Sequence, residues 1–252
     1  MFAGALDEGL LRVARESGRA EIRLLDLREF TDDPHRTIDD YPYGGGPGMI
    51  LKVEPVARAL DALPPPLAER REVVILTPQG ETLTQPLVRK LLDARDVVLL
   101  FGRYKGLDER IRVFATREVS LGDFILSGGE PAALVLTDAL VRLVPGVMGD
   151  IESAEGDSFE RTLLDSAYYT RPEVFRGLEV PELLRSGHHG KVAEWRRRDA
   201  ILRTLRRRPE LVAQAAREGS LTGDELRWLV ARGWTLPEGV ELPPQKRRRR
   251  RE

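Results

Sequence analysis

A chain of 252 residues, 41% apolar and 32% charged, has the length and apolar content for one large domain or two smaller ones, and no stretch reaches the ~20 apolar residues that span a bilayer. The absence of cysteine excludes disulfides, thiolate zinc sites, iron–sulfur clusters and cysteine nucleophiles, and Asp7, Glu8 and Arg12 so near the start do not suit a signal peptide, so a cytoplasmic protein is expected. The net charge of −1 conceals an asymmetry, since residues 1–166 hold 20 Lys and Arg against 29 Asp and Glu while residues 167–252 hold 20 against 12; that fits either a last third that meets a polyanion or a solvated helical surface with a basic tail.

In chain order, Leu6, Leu10, Leu11 and Val13 have helical spacing and predict a helix over 5–16. Residues 21–27 (EIRLLDL) read as a short strand, and 31–48 are almost all turn formers and predict a loop. A helix over 54–63 precedes a buried strand at 73–76 (VVIL). Thr84 can cap a helix over 85–94, and 97–101 (VVLLF) is a second buried strand. A short segment at 117–119 leads into the loop SLGDFILSGGEP, and Pro131 suits the first turn of a helix reaching about Val144, with Leu134, Leu140, Val141 and Val144 on its apolar face. Residues 145–172 are polar, turn-rich and weakly periodic, which reads as a linker or loop. Basic helical spacing follows over 191–207, then helices over 209–217 and 223–232, then a tail with five consecutive arginines, Arg247–Arg251.

Strands alternating with helices predict an α/β domain with a largely parallel sheet, whose ligands sit beyond the carboxyl ends of the strands. The loops at 77–81, 102–106 and 120–131 are therefore the places to look. YGGGPGM at 43–49 permits positive backbone dihedrals but lacks the lysine and hydroxyl of a P-loop; read alone it is a flexible hairpin. Gly128 and Gly129 ahead of Pro131 form a tight turn, which could present backbone donors to a ligand or simply join a strand to a helix. Asp157 lies in a loop where a carboxylate is usually solvated, and Arg142, near a helix end, can cap that helix. His188 and His189, with no carboxylate at ligand spacing, are a poor metal signal, and Trp195 at helical spacing reads as core.

Nine stretches in order carry a resemblance: TIDDYPYGGGPGM, LTPQG, FGRYKGLDER, SLGDFILSGGE, VPGVMGD, SAEGDSF, LLDSAYYTRPEVFRGLEVP, SGHHGKVAEWRRRDAILRT and RRPEL. From about Phe2 to about Leu211 the chain resembles the bacterial tRNA (guanine-N1)-methyltransferases of the trefoil-knot, or SPOUT, class. The resemblance implies a SPOUT-type α/β domain over 1–148 with a parallel sheet and a C-terminal trefoil knot. It implies an interdomain linker over 149–170 and a small basic helical tRNA-binding domain over 171–252. The implied substrates are S-adenosylmethionine and tRNA, methylated at N1 of the guanosine 3′ of the anticodon (position 37). The implied assembly is a homodimer with active sites at the subunit interface, and Mg²⁺ is the implied accompanying ion.

Carried over residue by residue, the cofactor-binding positions are Leu76, Thr77, Pro78 and Gly80; Gly102, Tyr104 and Gly106; and Leu121, Gly122, Asp123, Phe124, Ile125, Leu126, Gly128, Gly129 and Pro131. The catalytic aspartate falls on Asp157 and its partner on Arg142. Such a pair suits the chemistry: N1 must lose a proton to a carboxylate while charge building on O6 is stabilised by a cation. Three departures stand out. The family pattern opens with a short apolar strand ending in Leu-Phe-Pro-Glu, whereas this chain begins at Met1-Phe2 just past it: either the start is misassigned, the chain is trimmed, or the sheet lacks that strand, whose loss would expose an edge. Lys105 stands where many members have glutamate, which argues against a metal role there, and the Arg247–Arg251 run lies beyond the pattern.

Overall fold

The structure, a computed structural model, describes residues 1–67, 69–103, 105–149 and 157–244. The chain divides into two units, Met1–Ile151 and Glu152–Glu252. Among the described residues no helix is long and apolar enough to cross a membrane.

The first unit is built around β3, Glu72–Thr82, which follows a two-residue hairpin of β1, Asp39–Asp40, and β2, Ile50–Leu51. β3 pairs in parallel with β4, Val97–Leu100, on one side and with β5, Arg117–Ser120, on the other. Its first half, Val73 to Leu76, is buried on both faces, as a continuous apolar run in a covered parallel sheet should be. Thr77 to Gly80 then leave the ladder: Leu76 and Glu81 both pair with Val119, so four residues are spliced into one strand at a single partner position. That excursion makes β3 eleven residues long where apolar content predicts four.

Helices close both faces. α3, Val53–Asp61, buries Val56 and Ala59; Val56 packs with Leu51, Ile75, Leu100 and Ile111. α4, Gln85–Asp93, has proline in its first turn and buries Leu87, Val88 and Leu91. α5, Glu130–Val141, shares that second core through Ala132, Ala133 and Leu136. It also presents Leu134 and Val141, with Val144 beyond its end, to a separate core formed with α1, Phe2–Leu6, and α2, Gly9–Glu16. A helix gripped on two sides is apolar nearly all round, so periodicity alone gave it one face and omitted Leu136.

The edge of the sheet where the strands begin is fastened by charge. Glu72 is 1% exposed and accepts from Arg70 and from the Thr116 hydroxyl. Arg71 pairs with Asp96 at 2.9 Å, both side chains mostly covered. At the far end of α5, Arg19 donates to the Pro145 carbonyl at 2.8 Å, its guanidinium occupying the space a side chain at Gly146 would need.

Two expectations in this unit fail. The helix over 5–16 is broken after Leu6, because Gly9 adopts φ +55°. Residues 21–26 form no strand: Leu24 and Leu25 are adjacent and both exposed, so the segment has no alternating buried face to hold against a neighbour. Only Leu27–Phe30 is regular, as a 3₁₀ turn started by the Asp26 carboxylate accepting from the Arg28 amide.

The second unit is helical, apart from a hairpin of β6, Val174–Phe175, and β7, Leu178–Glu179. After α6, Glu182–Arg185, come α7, His189–Arg207, α8, Pro209–Arg217, and α9, Gly223–Val230. Ile201 of α7, Val212, Ala215 and Ala216 of α8, and Leu226 and Leu229 of α9 form one core together with Leu163 and Leu221. Thr222 and Glu225 cap α9 reciprocally, each side chain accepting from the other's amide. Burial pushes Glu225 up, but the Arg197 guanidinium at 2.6 Å and the Thr222 amide outweigh it and hold the carboxyl below its usual value. Trp195, expected in the core, is half-buried and absent from that cluster.

Within the stretch expected as linker, 149–170, the described residues from Asp157 onward pack on this helical unit. Leu163 is 4% exposed in the helical core, and the Leu164 amide donates to the buried Thr204 hydroxyl at 2.9 Å. The Ala167 amide donates to Asp199 at 2.7 Å.

Candidate active site

The strands β3, β4 and β5 run parallel, so Leu76, Phe101 and Leu121 emerge at the same edge. The loops that follow are stitched together by backbone. The Gly129 amide donates to the Gly102 carbonyl at 3.0 Å, and Arg103 bridges Gly128 as in a strand pair. Arg103 Nε reaches Glu130 at 2.5 Å, the carboxylate sitting in the first turn of α5. The Leu83 amide donates to Ser120 at 2.7 Å as β3 ends.

Glycine makes this closeness possible. A Cβ on Gly80 would overlap the Val119 nitrogen and the Glu118 carbonyl group, so the excursion of β3 passes directly over the backbone of β5. A Cβ on Gly129 would overlap Phe101, and one on Gly128 would overlap Glu130. At Gly80 the crowding is main chain on main chain, and at Gly128 and Gly129 it is the side chains of Glu130, Arg103 and Phe101 on main chain; in each case the glycine marks close approach rather than flexibility. Gly122 has φ +143°, letting the chain turn so that the Phe124 amide donates back to the Gly122 carbonyl at 2.9 Å.

All three sequence-expected loops therefore meet at one end of the sheet. Thr77, Pro78 and Gly80 lie in the excursion, and Gly102 and Gly106 in the loop after β4. Gly128, Gly129 and Pro131 lie where that loop meets α5, and Tyr104 is outside the described residues. Leu76 is 9% exposed and Leu121 packs on the same core, so they offer a ligand little beyond backbone. Gly122 and Asp123 open the turn, and Phe124, Ile125 and Leu126 follow it exposed, Ile125 at 80%. Three exposed apolar side chains beside crowded backbone suit a ligand with one polar edge and an apolar body.

The glycine-rich segment is not the isolated hairpin its sequence suggests. It is tied to the loop after β4 by the Leu51 amide to Gly106 at 3.0 Å and the Lys105 amide to Met49 at 3.3 Å. The stem of Lys105 lies against Gly48, which has φ +90°. Only the three-dimensional pairing places this segment at the site; the run of glycines was the sole hint. A cleft of 590 Å³ borders it, with Asp40, Tyr41, Tyr43, Arg58 and Arg110 in its walls. Nearby, Asp33 accepts from Thr37 and from the His35 amide, which hold its carboxyl down to about 2.

The two residues expected to do chemistry are held separately. Arg142 ends α5 in the first unit, half-buried, its amide bonded to Asp138. Asp157 opens a tight turn in the second unit, where the Glu160 amide donates to its carbonyl and the Phe159 amide donates to Leu163. Ser158 accepts from the Asp165 amide at 3.0 Å, so the turn is braced from both sides. His188 and His189 are exposed, and among the described residues no group of three His, Asp or Glu could hold a metal.

The model of the family described as tRNA (Guanine-1)-methyltransferase TrmD matches residues 1–214. The chain is similar to the tRNA (guanine-N(1)-)-methyltransferase of Chloroflexus aurantiacus, at 48% identity over 93% of this chain and 92% of that protein. It is similar to proteins of the same name from Moorella thermoacetica, 46% identical over 91% of each chain, and Geobacillus kaustophilus, 46% identical over 91% of this chain and 92% of that one.

Proposed function

The chain belongs to the tRNA (guanine-1)-methyltransferase family, and from that membership we propose that it methylates N1 of the guanosine immediately 3′ of the tRNA anticodon, position 37, using S-adenosylmethionine. The observation that carries the reading is the convergence of the loops after β3, β4 and β5 at the carboxyl edge of the parallel sheet, two of them crowded at Gly80, Gly128 and Gly129. Those loops fit the donor. Their crossings leave main-chain groups to hold an adenine edge and a methionine tail, and Phe124, Ile125 and Leu126 supply apolar wall. When bound, S-adenosylmethionine supplies an electrophilic methyl group on a sulfonium.

The chain's own residues do the rest. Asp157 accepts the N1 proton as the N1–methyl bond forms and the sulfur–methyl bond breaks. Arg142 stabilises the charge that builds on O6 during that transfer. The loops fix methyl and base in line, which converts an encounter of two substrates into a positioned step. Lys105 brings a cation to the glycine segment, and the described residues offer no cluster of metal ligands, so no step here is routed through magnesium.

The passage of Gly80 over β5 supports the trefoil knot of the SPOUT class in the domain over 1–148. We extend the reading to a linker within 149–170 whose residues from Asp157 onward are docked on the helical unit, a tRNA-binding domain over 171–252, a cytoplasmic location, and a homodimer whose interface completes each site. The Arg247–Arg251 tail lies outside the described residues.

Tritiated S-adenosylmethionine and two tRNA transcripts, one with guanosine and one with adenosine 3′ of the anticodon, test the reading. Label in the first alone is expected. Label in both moves the target to another base, and label in neither, with tRNA still bound, leaves an RNA-binding protein without this chemistry.

A further inference from the structure

Tyr168 is 62% exposed although it belongs to a segment pinned to α7 at three points. Leu164 bonds to Thr204, Ala167 bonds to Asp199, and the Arg196 guanidinium lies 5.2 Å from the centre of the Tyr168 ring. The segment thus runs back along the helix from residue 204 to residue 196 and delivers an aromatic ring onto an arginine. The Tyr168 hydroxyl donates to Asp165 at 3.2 Å, and Asp165 also accepts from the Ser166 amide at 2.6 Å, which fixes the ring's direction. Tyr169 beside it is 51% exposed.

A large ring held rigid and left open to solvent gains little for the fold. An exposed cation–π pair contributes only about 0.5–1 kcal/mol. The surroundings say what it faces. α7 holds seven Lys and Arg against two acids, Glu194 and Asp199. Arg206 and Arg207 are exposed and have no acid partner among the described residues. Open aromatic rings interleaved with arginines match single-stranded nucleic acid, where unstacked bases lie on the rings and phosphates on the cations. The ring is also pre-set, so little order has to be imposed on binding.

We propose that Tyr168, backed by Arg196, is a stacking platform for an unpaired base of the tRNA, and that it sets RNA affinity rather than the methyl-transfer step. This rests on the tRNA reading given above. Because the same segment carries Asp157, a base stacked there helps to hold the substrate strand at the braced turn.

The test is tRNA binding by the full chain over a salt series, with methyl transfer measured in parallel. Tyr168→Ala is expected to weaken tRNA about tenfold and to raise KM by the same factor, with kcat and the salt slope unchanged. Tyr168→Phe keeps the ring and is expected to bind within about twofold of the wild type. Arg196→Ala is expected to lower the salt slope by about one, as loss of a phosphate contact does; this variant carries the test if Tyr168→Ala does not fold. Equal losses in Tyr168→Phe and Tyr168→Ala would overturn the proposal, because the hydroxyl brace to Asp165 would then be the residue's role. Unchanged affinity in Tyr168→Ala, or a changed oligomeric mass in place of changed affinity, would overturn it too, the latter making the patch a protein contact. Failure of the wild-type chain to bind any tRNA would sink the substrate reading itself, whereas wild-type binding with an indifferent Tyr168→Ala sinks the platform alone.

Discussion

Gly80 and Gly129 hold their loops by having no side chain, whereas Thr204, Asp199 and Arg197 hold theirs by having one. At the carboxyl edge of the sheet, main chain lies on main chain at Gly80 and on the Phe101 side chain at Gly129, and an added atom at either must push its neighbours apart. In the helical unit, the turn bearing Asp157 and the segment bearing Tyr168 hang from hydroxyls and carboxylates on α7, and the danger is removal of atoms. The contrast follows the chemistry proposed for each. A pocket for a small cosubstrate needs a shape fixed to tenths of an ångström, which backbone crossings give. A surface for a long polyanion needs charges and rings on a steady support, which a packed helix gives.

Asp157→Ala separates catalysis from scaffold most sharply. Methyl transfer is expected to fall by about 10²–10⁴, with tRNA and S-adenosylmethionine affinities retained; activity near wild type would remove Asp157 from the proton's path. Ile201→Ala empties a fully buried position in the helical core. A stability loss of about 2–5 kcal/mol is expected in denaturant melts of that unit, while S-adenosylmethionine binding persists; loss of both together would deny that the two regions are fastened independently. Gly80→Ala should do the reverse, costing about 1–3 kcal/mol of strain and weakening S-adenosylmethionine while circular dichroism of the helices is kept. Gly44→Ala is the control, since a Cβ there meets open space and only its φ of +84° resists.

The smallest effect expected is electrostatic. Glu225 is held below its usual value, so its contribution is complete above pH ~4.5 and disappears as pH falls through the lowered folded value. Glu225→Gln should therefore destabilise the helical unit by about 1 kcal/mol at pH 7, and the gap to wild type should shrink in acid. A gap constant down to pH ~3 would mean that the Arg197 contact matters for packing and not for charge.

Much of this contrast was legible in the chain itself. Apolar runs at 73–76 and 97–101 located the strands, turn formers after them located the loops, and periodicity located α7, α8 and α9 nearly to the residue. What periodicity could not give were facts about partners. The return of Glu81 to the strand position Leu76 had already used depends on where β5 lies. Residues 21–26 have the composition of a strand but adjacent exposed leucines. Residues 157–167 look like linker because their order comes from Thr204 and Asp199, some forty and thirty residues later in the chain. The docking of the glycine segment on Lys105 and Gly106 was likewise invisible until both loops were in space. Asp157 and Arg142 were reached through resemblance and not from local chemistry, since nothing beside either one in sequence distinguishes it from a solvated acid or a helix cap.

The splice in β3 also puts a clock on the newborn chain. Glu81 pairs with Val119, which leaves the ribosome 38 residues later, about 2–8 s at ordinary rates of synthesis. Throughout that interval Val74 and Ile75 have no β5 beside them, and the detour from Thr77 to Gly80 has nothing to cross. The α4–β4 segment made in between can pair early on the other side, but the half of the sheet that shapes the pocket must wait. Translation speed between codons 81 and 120 therefore decides how long a bare apolar strand is offered to chaperones or to a neighbouring chain, and slowing there lengthens the exposure instead of helping the fold.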